Sequence, residues 1–297
     1  MKTDYNSDKN LVLFFILTLL WTWVCGLLPI FLGIMKTSQG QFIFYFGAGA
    51  PSVMGIILVL KTYPKKLRNV FFKSYFDVSG LKLKWFIYVI LYFAFISIAG
   101  IYLSVKLFHQ PIPEMSWLQT ILQRPYMLPV FLLLSFVSGP LNEEFGWRGY
   151  SLDRLFYRFG YIKSNLILGF IWCIWHLFWY FNPDQPQYYW LSYSWIAALS
   201  FLPSVIILNF VVSFIYVQNN RSIFAGLFVH MMSNFITSQL LMNSTIETSM
   251  TIRCVGILVG IIVLIYSLAS NKFKKQYEKV MLDFQQDIDT SLIKIMV

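Results

Sequence analysis

Charge is scarce in this chain. Only 12% of its 297 residues are Asp, Glu, Lys or Arg, about half of the roughly 25% found in an average soluble domain, and that shortage excludes an ordinary soluble fold. Acid is scarcer still, with 13 carboxylates against 23 Lys and Arg. Cysteine is almost missing. Cys25, Cys173 and Cys254 fall in three different apolar runs without CxxC spacing, so neither a disulfide framework nor a zinc knuckle is supported. There is no internal repeat, no low-complexity tract and no second soluble domain. "GAGAPS" (47–52) lies inside an apolar run with no strand before it, which excludes a nucleotide-binding loop on context.

Long apolar runs are what the chain has instead. Hydrophobic residues make up 58% of it, and several runs reach the roughly 20 residues that a helix needs to cross about 30 Å of hydrocarbon. Hydropathy predicts an all-α polytopic membrane protein with about eight spans, near 11–34, 41–60, 85–105, 127–147, 165–182, 194–217, 223–242 and 251–270. They form a single transmembrane domain over 1–270, followed by a polar tail over 271–297 that reads as a cytosolic helix or a loose end. The first run is too long for a secretion signal and lacks a cleavage pattern, so it reads as an uncleaved span.

The net charge of +10 does not point to nucleic acid, because the basic residues sit in connections between apolar runs. With the amino terminus inside, 19 of the 23 fall on the inner side; only Lys36, Lys106, Arg124 and Arg253 fall outside. That asymmetry predicts a multi-pass protein of the cell membrane with both termini in the cytosol. The segment "YPKKLRNVFFKSYFDVSGLKLK" (63–84) mixes aromatic and basic residues and reads as an inner-surface segment drawn to anionic lipid, or as a plain basic loop. "GILVG" (256–260) is a small-residue packing pattern in the last span.

The chemistry concentrates in "GPLNEEFGWRGY" (139–150). Of the 13 acids only Glu143 and Glu144 fall inside a predicted span, where ionisable groups face a bundle interior or a wet cavity. Glu144 and Arg148 are four apart and share a helix face, which predicts a salt bridge; Glu143 points about 100° away and is free for another task. Two histidines are also embedded, His176 and His230, and Asn234 shares the face of His230. At about 1.5 Å of rise per residue, Glu143 lies about 5 Å from the cytosolic boundary, His230 about 11 Å deep, and His176 and Asn234 about 17 Å deep. One shared site is geometrically available. Pro140 after Gly139 frees a backbone carbonyl at depth, which would bring water to Glu143, a candidate general base.

"EEFGWR" (EExxxR), an embedded histidine in the next span and "HMMSN" (HxxxN) in a later one resemble the CAAX protease and bacteriocin-processing family of intramembrane endopeptidases, also called the type II CAAX prenyl endopeptidase or Abi family. The likeness covers about 125–240. It implies eight membrane helices, a cavity open to the cytosol, and hydrolysis of a peptide bond near the carboxyl end of a peptide or membrane-protein substrate. By position, Glu143 would activate water with help from His176, His230 and Asn234 would stabilise the oxyanion, and Arg148 would orient Glu144. The family's FxxxH has Trp172 in place of the phenylalanine.

Metal stays open at this level: Glu143, His176 and His230 could hold zinc with an open water position, but HExxH is missing, and a metal-free glutamate mechanism is preferred. No GxSG or GxGD of other intramembrane protease classes is present. A non-catalytic bacteriocin-immunity or membrane scaffold protein of the same fold is the alternative, and a proton-coupled transporter lacks the paired broken helices of a repeat. The Lys-, Asn- and Phe-rich usage suggests a bacterium, where prenylated substrates are not expected; the sequence does not name what is cut.

Overall fold

The computed structural model describes residues 4–78 and 81–293; over these the regular elements are all helical. The first span is α1 (Asp8–Phe31), started after Ser7 with Asp8 in its first turn, where a carboxylate complements the helix dipole. The second is broken. Helix α2 (Ser38–Ala48) is capped by Thr37, whose hydroxyl accepts from the Gly40 amide at 3.1 Å, and α3 (Ala50–Thr62) leaves it at 54°. Gly49 and Pro51 account for the break, since proline is at home only in a first turn.

Helix α4 (Lys65–Phe76) follows, within the segment expected at the inner surface. It is a helix rather than a plain loop, and its buried stripe of Leu67, Phe71 and Tyr75 has the four-residue spacing of an amphipathic face. Tyr75 stacks 3.5 Å from Phe145 and donates to the Pro140 carbonyl at 3.3 Å. Residues 79 and 80 of that segment lie outside the described residues.

After α5 (Leu83–Phe108) and the short α6 (Ser116–Gln123) comes one long, repeatedly broken helical stretch. It consists of α7 (Leu128–Val137), α8 (Pro140–Glu144), a π-helical turn (Phe145–Leu152) and α9 (Asp153–Trp175), closed by a 3-10 turn (His176–Phe181). Gly160, at φ +69°, turns the chain inside α9, a conformation open to glycine at no steric cost. Helices α10 (Pro186–Tyr193) and α11 (Trp195–Leu199) then lead to α12 (Phe201–Gln218). Helix α13 (Ile223–Met232) ends in a second π turn (Ser233–Gln239), and α14 (Ile246–Ala269) and α15 (Asn271–Ile293) finish the chain.

Among the described residues, five helical stretches are long and apolar enough to cross a membrane, or six if the bent α2–α3 pair counts as one span. This does not confirm the expected count of about eight. The predicted fourth and fifth spans run together within Pro125–Phe181. The predicted seventh, 223–242, is occupied by the shorter α13 (Ile223–Met232) and its π turn (Ser233–Gln239).

The tail is a helix packed on the bundle over the described 271–293; residues 294–297 lie outside them. Val280, Phe284 and Ile288 form its buried stripe, and Arg221 bridges it to the bundle, 2.8 Å from both Asp153 and Asp287. The amino-terminal end meets the same region. Arg154 donates to the Tyr5 carbonyl and, at 2.9 Å, to the Tyr63 hydroxyl, and Arg158 pairs with Asp8. The two described ends of the chain thus meet one end of the bundle, which also holds Arg154, Arg158 and Arg221.

The motif is seated by close backbone approach. A Cβ on Gly55 of α3 would come within 2.9 Å of the Gly146 Cα, and one on Gly146 within 2.2 Å of the Pro51 carbonyl oxygen. Only two bare glycines let α3 lie this close to the π turn.

Candidate active site

Helix α7 stops at Val137, and Pro140 opens α8. Proline here starts a helix, so its missing N–H is one that would have no intrahelical partner. The expected loose carbonyl is partly covered, because Asn142 Nδ2 donates to the Val137 carbonyl at 2.8 Å. The restart is what aims Glu143 and Glu144, both buried, in two directions.

Glu144 faces a buried polar core. Arg148 Nη1 stands 3.2 Å from its Oε1, with both side chains fully buried, so the expected pair is present. The same Oε1 lies 2.7 Å from His230 Nδ1. Arg148 Nη2 donates to Asn209 Oδ1 at 3.0 Å, Asn209 Nδ2 donates to Asn165 Oδ1 at 2.9 Å, and the guanidinium sits 4.7 Å from the Trp172 ring. Glu144 and Arg148 therefore stand behind the site, gripping His230 by one nitrogen.

Glu143 faces the cavity. Its Oε2 accepts from two indoles, Trp172 Nε1 at 2.6 Å and Trp147 Nε1 at 3.1 Å, and its Oε1 is 4.0 Å from His230 Nε2. A Cβ built on Gly139 would meet Asn234 Nδ2 at 2.7 Å, His230 Nε2 at 3.1 Å and Glu143 Oε1 at 3.3 Å. Three polar atoms from two separate helical segments thus converge beside one glycine. His176 sits where α9 tightens into its 3-10 turn, its Nδ1 held by the Trp172 carbonyl at 2.8 Å and its ring 4.6 Å from Trp175. A carbonyl only accepts, so Nδ1 carries a proton and Nε2 is the free nitrogen of the neutral ring.

Of the six residues singled out by sequence, Glu143, His176, His230 and Asn234 line one cavity of about 820 Å³; Glu144 and Arg148 do not. The zinc set does not fit. Among the described residues no group of three His, Cys, Asp or Glu side chains is arranged to hold a metal. One oxygen of Glu143 is taken by indoles and one nitrogen of His230 by Glu144.

Three residues at the site escaped the sequence reading: Gly139, Trp147 and Trp172. Trp147 is four residues after Glu143, a spacing that could have suggested an i, i+4 donor. Trp172, in place of the family's phenylalanine, is a hydrogen-bond donor to the carboxylate, which phenylalanine cannot be.

The cavity reaches the connections at Asp184–Gln187 and Met242–Thr245, and none of its lining comes from the end that holds the termini.

Gly139→Ala places a methyl group among the three converging atoms. The expected outcome is at least a tenfold loss of activity, because the new Cβ would stand 2.7 Å from Asn234 Nδ2 and 3.1 Å from His230 Nε2 and push them out of place. Unimpaired turnover by this variant would show that the space beside Gly139 is not used.

Residues 125–236, which include all six, match a family model described as "Type II CAAX prenyl endopeptidase Rce1-like". The chain is also 25% identical over 268 residues to "CAAX prenyl protease 2" of Methanococcus maripaludis, covering 90% of this chain and 96% of that protein.

Proposed function

We propose, from the likeness of residues 125–236 to the Rce1-like CAAX prenyl endopeptidase family and of the chain to "CAAX prenyl protease 2", an intramembrane endopeptidase in which Glu143 activates water for attack on a peptide carbonyl. The observation that carries this reading is the convergence of Glu143 Oε1, His230 Nε2 and Asn234 Nδ2 beside Gly139, in a cavity also lined by His176.

The two indoles hold Oε2 and leave Oε1 to take a proton from water. His176 Nε2 accepts the water's second hydrogen bond. As the water oxygen bonds to the carbonyl carbon, the carbonyl oxygen gains charge and is met by Asn234 Nδ2–H and by the His230 ring, which Glu144 holds in place through Nδ1. Glu143 then passes its proton to the leaving nitrogen as the C–N bond breaks, the exchange expected of one group serving as base and then acid. Donors placed where charge develops are worth about 10²- to 10³-fold each. No step runs through a metal. Purified protein in proteoliposomes, stripped with a chelator and freed of bound metal, is expected to keep its full rate of peptide cleavage; loss of cleavage restored by zinc would sink the metal-free version.

For orientation, the basic end supports cytosolic termini, since Lys and Arg concentrate on the cytosolic side of membrane proteins. The cavity then opens to the outer face, and its substrate is reached from that side. In a chain with Cys25, Cys173 and Cys254 replaced by alanine, Met242→Cys should react with an impermeant maleimide on intact cells, and Lys275→Cys only after lysis. The reverse pattern would turn the protein over in the membrane.

A further inference from the structure

We propose that Arg253 is the anchor for the free α-carboxylate of the substrate's last residue, a site that deepens the protease reading and rests on it. By sequence Arg253 falls on the outer side, near the start of the predicted 251–270 span. The structure places it about two turns inside α14, on the wall of the cavity that Glu143 also lines.

Its state is unlike that of the other shielded arginines. Arg148 has Glu144 and Asn209, Arg154 has Tyr63 and two backbone carbonyls, and Arg221 has two aspartates. Nε, Nη1 and Nη2 of Arg253 are all shielded from solvent and, among the described residues, without a hydrogen-bond partner. The Trp190 ring lies 4.0 Å from the guanidinium carbon, a cation–π contact that covers one face and holds the plane. It leaves the edge of the guanidinium, where the N–H groups are, for a ligand.

A shielded cation without a counter-charge is costly. It is also the preferred partner for a planar, two-oxygen anion, which it binds through two parallel hydrogen bonds. Neither acid on the same wall meets that need: Glu143 is held by its indoles, and Asp184 is exposed and forms no ion pair with Arg253 among the described residues. Gln187 Oε1, on the same wall, is another shielded atom without a partner, an acceptor suited to a backbone N–H. A cation and an acceptor, both unmet, in a cavity where a peptide bond is cut, match the carboxylate and amide of a peptide's last residue. Arg253 then sets how close to the carboxyl terminus the cut falls.

The test reads binding, so it does not depend on turnover. Full-length Glu143→Gln protein in detergent is titrated against a fluorescein-labelled pool of ten-residue peptides ending in three apolar residues. The pool is used as free acids, as carboxyl-terminal amides, and as amides carrying glutamate at the penultimate position. The free acids are expected to bind about 10- to 100-fold more tightly than the plain amides, the range of a charge-assisted pair, and Arg253→Gln should reduce that ratio to near one. Arg253→Lys keeps the charge without the fork and should give an intermediate ratio, which also serves if the glutamine variant does not fold. An unchanged ratio in these variants would overturn the proposal, as would glutamate amides binding as tightly as free acids. If wild-type protein cleaves nothing while the Arg253-dependent ratio stands, the protease reading fails and the carboxylate site survives. Cleavage with acids and amides bound alike has the reverse meaning: the protease stands and the carboxylate site falls.

Discussion

Replacing Glu143 with glutamine is expected to lower the rate of peptide cleavage by about 10²- to 10⁴-fold, the contribution of a positioned general base, while leaving the fold intact. The substitution is nearly isosteric. The amide oxygen can accept from the Trp172 and Trp147 indoles as Oε2 does now, at 2.6 and 3.1 Å, so the side chain keeps its place. The amide nitrogen then stands where Oε1 stood, 4.0 Å from His230 Nε2. There it offers N–H groups and no basic lone pair, so water in the pocket loses its proton acceptor. Single-turnover kinetics should show the fall in the chemical step with little change in substrate affinity, and the unfolding midpoint should change little, since both indoles keep their acceptor. Cleavage at the wild-type rate by this variant would remove Glu143 from the chemistry.

Arg148→Leu is expected to destabilise the protein by about 3–5 kcal/mol, the range for removing one partner of a buried ion pair. Arg148 and Glu144 are both fully buried. Without the guanidinium, Glu144 keeps only His230, and Asn209 Oδ1 loses its donor. Lysine at this position has one ammonium where the guanidinium reaches Glu144 and Asn209 in two directions, so Arg148→Lys should recover only part of the loss. Adding Glu144→Gln to Arg148→Leu removes the stranded charge and should make the double variant more stable than the sum of the single effects, the signature of direct coupling. Denaturant unfolding in a fixed detergent measures all three. Additive losses would mean that Glu144 and Arg148 do not depend on each other.

The parts of this arrangement that follow from spacing were legible in the sequence. Glu144 and Arg148 are four apart, so their pairing needed only a helix; His230 and Asn234 likewise share a face. The all-helical class followed from the length of the apolar runs. What spacing could not supply is long-range. That Glu144 reaches across to His230, 86 residues away, depends on α3, α8 and α13 packing together, and on bare glycines at 55 and 146. Hydropathy sees apolar length and not the π turn that ends α13, nor the bend at Gly160 that separates the predicted fourth and fifth spans. Trp172 looked like a departure from a phenylalanine pattern until its N–H was seen on Glu143. Arg253 counts with the outer basic residues because it stands near the outer end of the predicted 251–270 span; α14 begins at Ile246 and carries the charge further inward.

Peptide cleavage carried out in ¹⁸O-labelled water, followed by mass spectrometry of the new carboxyl termini, tests most directly whether Glu143, His176, His230 and Asn234 act together on one water. Metal-free wild-type protein is expected to place a single ¹⁸O in each new terminus at the first turnover, and Glu143→Gln to yield no such termini above background. Labelled products formed equally by both proteins, or no products from the wild type against any membrane-protein substrate, would contradict a hydrolytic pocket built on Glu143.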